Sequence, residues 1–328
     1  MKVTLFTTHP FEEEAFELAR EDMGSAHALT YVSAPLDTRT AELARASEVV
    51  VPFVNDRLDV PLLRQLAAYG VKLIALRSAG HDNLDLVAAR REGLRAVYVP
   101  SYTPHAVAEH VFALVLSLLR HVPRALARVH EGNFSLNGLI GSQLVGRTFG
   151  VVGLGRIGRV VAGIAEAFGC EVLACDPLAQ EKKWPLLPLD ELLARSHVVS
   201  LHAPLNAQTR HLIDARRLAL MQDGAILVNT SRGPILDTHA LINALKEDRL
   251  GGAALDVYER EAEVFYVDHS DKALQDDDLA RLLSFPNVIV TSHMGFMTRE
   301  ALGEIARTTL ASVDEFEKGK PLSHELTL

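Results

Sequence analysis

The residues that could do chemistry sit where apolar runs end. "VVGLGRIG" (151–158) places Gly153, Gly155 and Gly158 at the spacing G-x-G-x-x-G. It follows "FGVV" directly and opens the amphipathic "RIGRVVAGIAEAF", the strand–turn–helix setting in which such glycines cradle a pyrophosphate. Gly153 permits the tight turn, Gly155 lets a phosphate approach the main chain, and Gly158 lets helix pack on strand. The N–H groups and positive end of that helix would face the phosphates. Three glycines alone fit a purely structural turn equally well. "EVLACDP" adds a second condition, because it ends in Asp176, eighteen residues past Gly158. A carboxylate there accepts hydrogen bonds from adenosine ribose hydroxyls and repels a 2′-phosphate. The pattern therefore predicts NAD, with Lys182 and Lys183 read as solvated surface lysines.

Three more strand ends carry candidates. "ILVNTSRG" brings Arg232 to the end of an apolar run, and a guanidinium fork can grip a carboxylate and a neighbouring carbonyl oxygen. "NVIVTSH" ends in His293, the side-chain type best suited to exchange a proton near neutral pH. "AALDVYEREAE" supplies Asp256 and then Glu259, Glu261 and Glu263. A carboxylate beside His293 would stabilise its charged form and fix its tautomer. Spacing does not choose among the three glutamates.

The elements that must position these groups alternate in type. The chain has 328 residues, enough for two domains. Its formal net charge of −9 and lack of any basic block argue against nucleic acid as a partner. The fourteen histidines are scattered, with no zinc-site spacing. Cys170 and Cys175 fall in the expected strand "CEVLACD", pointing to opposite faces, as unpaired thiols of a reducing compartment. The N-terminus lacks a signal-type apolar segment, and "VFALVLSLL" (111–119) is nine residues long, a core helix rather than a membrane span. A cytoplasmic protein without a membrane partner is expected. Short apolar strands between helices fill the first hundred residues, as in a parallel sheet covered on both faces. "DTRTAELARAS" reads as one of the helices, with Asp37 as its N-cap. A long helical pattern from 103, interrupted at Pro123, leads to a second alternation from 149, and "TREALGEIARTTLASVDEFEKG" ends the chain as a helix. The acidic segment 259–280 reads as a long loop.

Together these motifs resemble the D-isomer-specific 2-hydroxyacid dehydrogenases. The likeness also runs through "RSAGHDNLDL", "VPSYTPHAVAEH", "NFSLNGLIG" and "SHMGFMT", nearly the whole chain. It implies two doubly wound parallel-sheet domains, a Rossmann NAD domain (101–294) inserted into a flavodoxin-like substrate domain (1–100), to which the helix of 295–328 returns. The substrate would lie in the cleft, and closure would exclude water. The resemblance assigns Arg232, Glu261 and His293 as the catalytic set. Glu261 keeps His293 protonated, His293 gives its proton to the keto oxygen as hydride reaches the carbonyl carbon, and Arg232 holds the carboxylate. Ala79, Gly80, Tyr102, Phe53 and Phe296 match substrate contacts. Arg156, Ile157, Ala203, Pro204, Thr209, Thr230, Ser231 and Asp256 join the glycines and Asp176 around NAD. Gly295 stands where relatives often carry alanine. Within the family the likeness is greatest to enzymes acting on pyruvate and D-lactate, and an aromatic-walled pocket suits a methyl side chain. Glyoxylate, hydroxypyruvate, phenylpyruvate or a branched-chain keto acid are the alternative substrates, and an NADH-sensing corepressor-like binding protein is the alternative class. A homodimer or homotetramer is implied.

Overall fold

The computed structural model describes residues 1–100, 103–180 and 182–327, residue 263 by its main chain alone. The chain opens with β1 (Lys2–Phe6), α1 (Pro10–Asp22), β2 (Ala28–Val32), β3 (Val49–Val51), α2 (Val60–Ala68), β4 (Leu73–Ala75), α3 (Leu86–Arg91) and β5 (Arg95–Val97). Next come α4 (Pro104–Leu119), α5 (Val122–His130), β6 (Thr148–Val152), α6 (Arg156–Ala167), β7 (Glu171–Cys175), α7 (Leu189–Arg195) and β8 (Val198–Leu201). The rest is α8 (Ala215–Leu220), β9 (Ala225–Asn229), α9 (Thr238–Lys246), β10 (Leu250–Leu255), α10 (Asp277–Leu283), β11 (Val288–Val290) and α11 (Arg299–Glu317). The chain divides into two compact units, Met1–Thr103 with Met297–Leu328, and Pro104–Phe296.

Among the described residues, the first unit holds a parallel sheet in the order β2-β1-β3-β4-β5, the flavodoxin-like arrangement. Its strands are short apolar runs because both faces are covered. Alternation sorts the side chains. Val49, Val51, Leu73 and Ala75 pack with Phe16 of α1 and Ala306, Leu310 and Val313 of α11. Val50 and Ile74 pack on the other face with Leu62, Leu63 and Leu66 of α2. The C-terminal tail covers the β5 edge through Leu326 N–H to the Ala96 carbonyl at 2.9 Å. The helix expected over "DTRTAELARAS" does not form. Asp37 Oδ1 accepts from the main-chain N–H of Arg39 at 2.7 Å and of Thr40 at 3.0 Å, closing a turn on itself. Only a 3₁₀ turn, Ala41–Ala44, comes after it.

The second unit's sheet, among the described residues, runs β11-β10-β9-β8-β6-β7. Beyond β7 a single parallel bridge joins Leu186 to Ala174. Counted as a vestigial strand, it gives the Rossmann order 3-2-1-4-5-6 with one strand added. The sheet's switch point therefore lies between β6 and β8, beside the glycine-rich turn. On one face α4 (Val111, Phe112, Val115) and α6 (Val161, Ala162, Ala165) pack on Phe149, Val151 and Val228. On the other, Leu192, Leu193, Leu218 and Leu241 cover Val152, Val199 and Leu227. The helical run from 103 bends by 63° between α4 and α5, where His121 takes a left-handed φ of 51° ahead of Pro123. Among the described residues no single helix is long and apolar enough to cross a membrane.

Two smaller expectations change. Cys170 lies just before β7 rather than in it, and burial pushes both free thiols, Cys170 and Cys175, above the usual range. The segment 259–280 is not loop throughout: it holds a 3₁₀ turn, Glu261–Glu263, and its end begins α10.

Candidate active site

The glycine turn has a different steric reason at each position. Gly153 has φ 98°, and a Cβ there would come within 2.6 Å of the His202 carbonyl oxygen. A Cβ on Gly158 would collide with the Gly153 carbonyl, so helix α6 packs directly on the turn. A Cβ on Gly155 would meet no atom within 4 Å. Protein packing therefore does not explain Gly155; open space at the helix N-terminus is what a phosphate approaching the main chain would need. Asp176 has a structural task there too. Its Oδ2 accepts from the Leu154 N–H at 2.7 Å, and its Oδ1 accepts from the Leu178 N–H at 2.8 Å. Oδ1 also accepts from the Ala179 N–H at 3.2 Å, so Oδ2 is the oxygen that keeps a lone pair for a hydroxyl. Lys183 is not a free surface charge: its Nζ sits 2.6 Å from Glu166 and over the Trp184 ring.

Beside the switch point, the Thr209 hydroxyl donates to the Pro204 carbonyl at 2.6 Å and so shapes the loop of Ala203 and Pro204. Thr230, at the end of β9, is 7% exposed, and its Oγ1 has no hydrogen-bond partner among the described residues. A buried hydroxyl left unpaired is costly, and a polar ligand would satisfy it. Asn229 staples the next turn. Its Oδ1 accepts from the N–H and hydroxyl of Ser231, both at 3.1 Å, and its Nδ2 donates to the Arg232 carbonyl at 2.9 Å. The half-buried Arg232 extends from this stapled turn, with Nη1 donating to the Ser231 carbonyl at 2.7 Å. Gly233 is a residue that sequence reasoning misses. A Cβ there would strike the main chain of Tyr258, so only glycine lets the arginine turn approach the segment that carries the glutamates.

The structure separates two of those glutamates. Glu259 binds His211 at 2.6 Å and the Thr238 hydroxyl at 3.0 Å. Glu261 turns the other way: Oε2 accepts from the Tyr258 N–H at 3.0 Å and Oε1 lies 2.8 Å from His293 Nδ1. The intervening Arg260 is clamped by Asp276 and Asp278, each at 2.8 Å, and Asp276 also accepts from the Tyr258 hydroxyl. An ionised carboxylate only accepts, so Nδ1 of His293 carries a proton, and Nε2 is the atom left to exchange one.

His293 has φ 52°, a left-handed conformation unusual for a non-glycine residue. Its N–H donates to the Asp256 carbonyl at 2.7 Å, and its carbonyl accepts from the Tyr266 hydroxyl at 3.0 Å. The Asp256 side chain, 1% exposed as a residue, ties down the next two residues. Its Oδ1 accepts from Thr291 Oγ1 at 2.6 Å and the Met294 N–H at 2.9 Å, and its Oδ2 accepts from the Gly295 N–H at 2.8 Å. Burial works to raise the Asp256 carboxyl. Hydrogen bonds from His110 and Thr291, with the nearby charge of His110 and His293, outweigh it and hold the group at about 2. Asp256 thus holds the main chain of the loop that carries His293. Phe296, half-buried, comes directly after Gly295.

The expected substrate contacts of the first unit lie on its loops. Phe53 is buried, its N–H 2.6 Å from Asp56 Oδ2 and its ring 5.0 Å from the Arg77 guanidinium. Ala79 and Gly80 lie in the loop after β4, where the Ser78 hydroxyl donates to the Gly80 carbonyl at 2.7 Å. Tyr102 lies outside the described residues.

Residues 112–295 match the family model described as D-isomer specific 2-hydroxyacid dehydrogenase, NAD binding domain. The chain is 48% identical to 2-hydroxyacid dehydrogenase A of Aspergillus oryzae, covering 96% of this chain and 92% of that protein. It is 45% identical to a D-lactate dehydrogenase of Curvularia clavata, covering 99% and 95%. Among solved structures, the pyruvate reductase of Chlamydomonas reinhardtii superposes with a TM-score of 0.91 at 40% identity, covering 99% of this chain and 98% of that one.

The depressed Asp256 carboxyl makes a pH-dependent contribution to stability. Its ordinary value is 3.8 and its folded value about 2, so ionised Asp256 stabilises the fold by about 2 kcal/mol above pH 4. That contribution is lost as pH falls from about 4 through about 2. Denaturant unfolding of wild type and Asp256→Asn across this range should show a stability gap at neutral pH that closes on acidification. A gap independent of pH would contradict this electrostatic account.

Proposed function

The chain belongs to the D-isomer specific 2-hydroxyacid dehydrogenase family, and from that premise we propose that it reduces pyruvate to D-lactate. Membership makes it an NAD-dependent D-2-hydroxyacid dehydrogenase. The observation that carries the proton-transfer reading is the 2.8 Å pair of Glu261 and His293, a carboxylate-held imidazole with one nitrogen left to act; the choice of pyruvate is supported by the likeness to the D-lactate dehydrogenase and the pyruvate reductase. The residues at the switch point fit the dinucleotide. Gly155 and the N–H groups at the start of α6, with Arg156 and Ile157, would take the pyrophosphate. Asp176 would take the adenosine ribose, and Ala203, Pro204, Thr230 and Ser231 would border the nicotinamide side. When bound, NADH supplies a hydride.

The protein's own residues do the rest. Arg232 binds the substrate carboxylate through its planar fork and polarises the carbonyl. His293 delivers the Nε2 proton to the keto oxygen, so that the alkoxide never forms as a free charge. Glu261 keeps the ring in the Nδ1–H state through this transfer and stabilises its charged form beforehand. In lactate oxidation the same nitrogen is the base. Phe296, Phe53 and the main chain of Ala79 and Gly80 complete the proposed substrate contacts. The free thiols accord with the expected cytoplasmic setting.

We further read the enzyme as a homodimer or larger homo-oligomer. Phe134, Leu136 and Ile140, in the segment after α5, are 74%, 81% and 91% exposed. Three large apolar side chains so close in sequence are suited to burial by a second copy.

Steady-state kinetics on a panel of 2-keto acids should place pyruvate first in kcat/KM, and a tenfold or greater preference for phenylpyruvate or hydroxypyruvate would refute that specificity. His293→Ala should lower turnover by about a thousandfold while NADH binding, followed by fluorescence, stays near the wild-type value. Retained turnover would refute the proton-transfer role. Light scattering should return at least twice the chain mass, reduced to one chain by Phe134→Ser with Leu136→Ser and Ile140→Ser. A monomeric wild type would refute the assembly.

A further inference from the structure

Helix α4 reaches the catalytic loop with one polar side chain. His110 lies half-buried on this helix, whose Val107, Val111, Phe112 and Val115 are buried. Its Nε2 sits 3.2 Å from Asp256 Oδ1 and 3.1 Å from Thr291 Oγ1. The partners dictate the proton positions. The Thr291 hydroxyl already gives its one proton to Asp256 at 2.6 Å, and the carboxylate has none to give. Nε2 therefore carries the hydrogen and donates it to Thr291 Oγ1, with Asp256 Oδ1 alongside.

Asp256 stands between this imidazole and the catalytic one. Its carboxylate accepts the N–H groups of Met294 and Gly295, and its carbonyl accepts that of His293. Gly295 also fits against the pair: a Cβ there would lie 2.9 Å from Asp256 Oδ2 and 3.4 Å from His110 Cδ2. The absence of a side chain lets carboxylate, imidazole and loop pack together. The second unit runs from Pro104 to Phe296. Its first helix and its last loop are thus joined through one buried carboxylate.

We propose that His110 is a positioning residue for His293, acting through the Asp256 carboxylate. Its N–H donates to Thr291 Oγ1, which keeps the Thr291 proton directed at Oδ1, and its ring edge lies against Oδ1 at 3.2 Å. The carboxylate is thereby prevented from rotating away from Met294 and Gly295, and His293 keeps its left-handed backbone and its aim. The idea rests on the reading of His293 as the proton donor. Misplacing a reacting group by about 1 Å can cost about a hundredfold in rate, so a loosened loop should appear in turnover more than in ligand binding.

The test compares His110→Leu, which removes the donor, with His110→Gln, whose side-chain amide can restore one. His110→Leu should lower kcat by about tenfold or more, with KM for pyruvate and NADH affinity within about twofold of wild type. His110→Gln should recover most of kcat, and circular dichroism should show both variants folded. In an Asp256→Asn background, replacing His110 should cost little further, because the path runs through that carboxylate. Three results would overturn the proposal: a wild-type kcat in His110→Leu, no recovery in a folded His110→Gln, or an undiminished His110 effect on top of Asp256→Asn. Retained turnover in His293→Ala would instead overturn the underlying proton-transfer reading, so the two failures are separable.

Discussion

A histidine with φ 52° is the constraint around which the second unit is arranged. A left-handed backbone costs a non-glycine residue of order 1 kcal/mol or more, and it persists only where neighbours fix it from several sides. Here the Asp256 carbonyl holds the N–H, the Tyr266 hydroxyl holds the carbonyl, and the Asp256 carboxylate holds the next two amides. The reward is directional. The chain turns sharply at the end of β11, and the imidazole presents Nδ1 to Glu261. Sheet, helix α4 and the 258–261 turn all meet at this point.

The site separates residues that would touch the substrate from residues that shape the main chain. Arg232 and His293 belong to the first group. Asn229, Thr209 and Asp256 belong to the second, committing their polar atoms to turns. Such turns give precise placement without bulk, because a side chain can satisfy the orphaned N–H groups that a strand leaves at its end. Asp176 braces the glycine turn and, in the proposed reading, would offer the remaining lone pair of Oδ2 to a ribose.

Most of the fold was legible because both units alternate short apolar strands with amphipathic helices, a pattern that admits few topologies. Segment 37–47 was not, since Asp37 can cap a helix or close a turn with the same oxygen, and the sequence does not say which. The strand vestige at Leu186 was equally hidden, being a single bridge. In the site, spacing could not separate Glu259 from Glu261. That choice depends on His211, Thr238 and the Arg260–Asp276 clamp, which come from distant parts of the chain. His110 and Gly233 were overlooked although signals existed: a histidine directly before the apolar run Val111–Leu116, and a glycine directly after the candidate arginine.

The central claim is that His293, aimed by Glu261 and a pinned loop, meets the keto oxygen while Arg232 holds the carboxylate. The most direct measurement is a crystal structure of the ternary complex with NADH and oxamate, an unreactive analogue of pyruvate. The account predicts His293 Nε2 within hydrogen-bond distance of the oxamate carbonyl oxygen, Nδ1 still on Glu261, and the Arg232 fork on the carboxylate. An oxamate whose carbonyl faces away from His293, or whose carboxylate is held without Arg232, would contradict it.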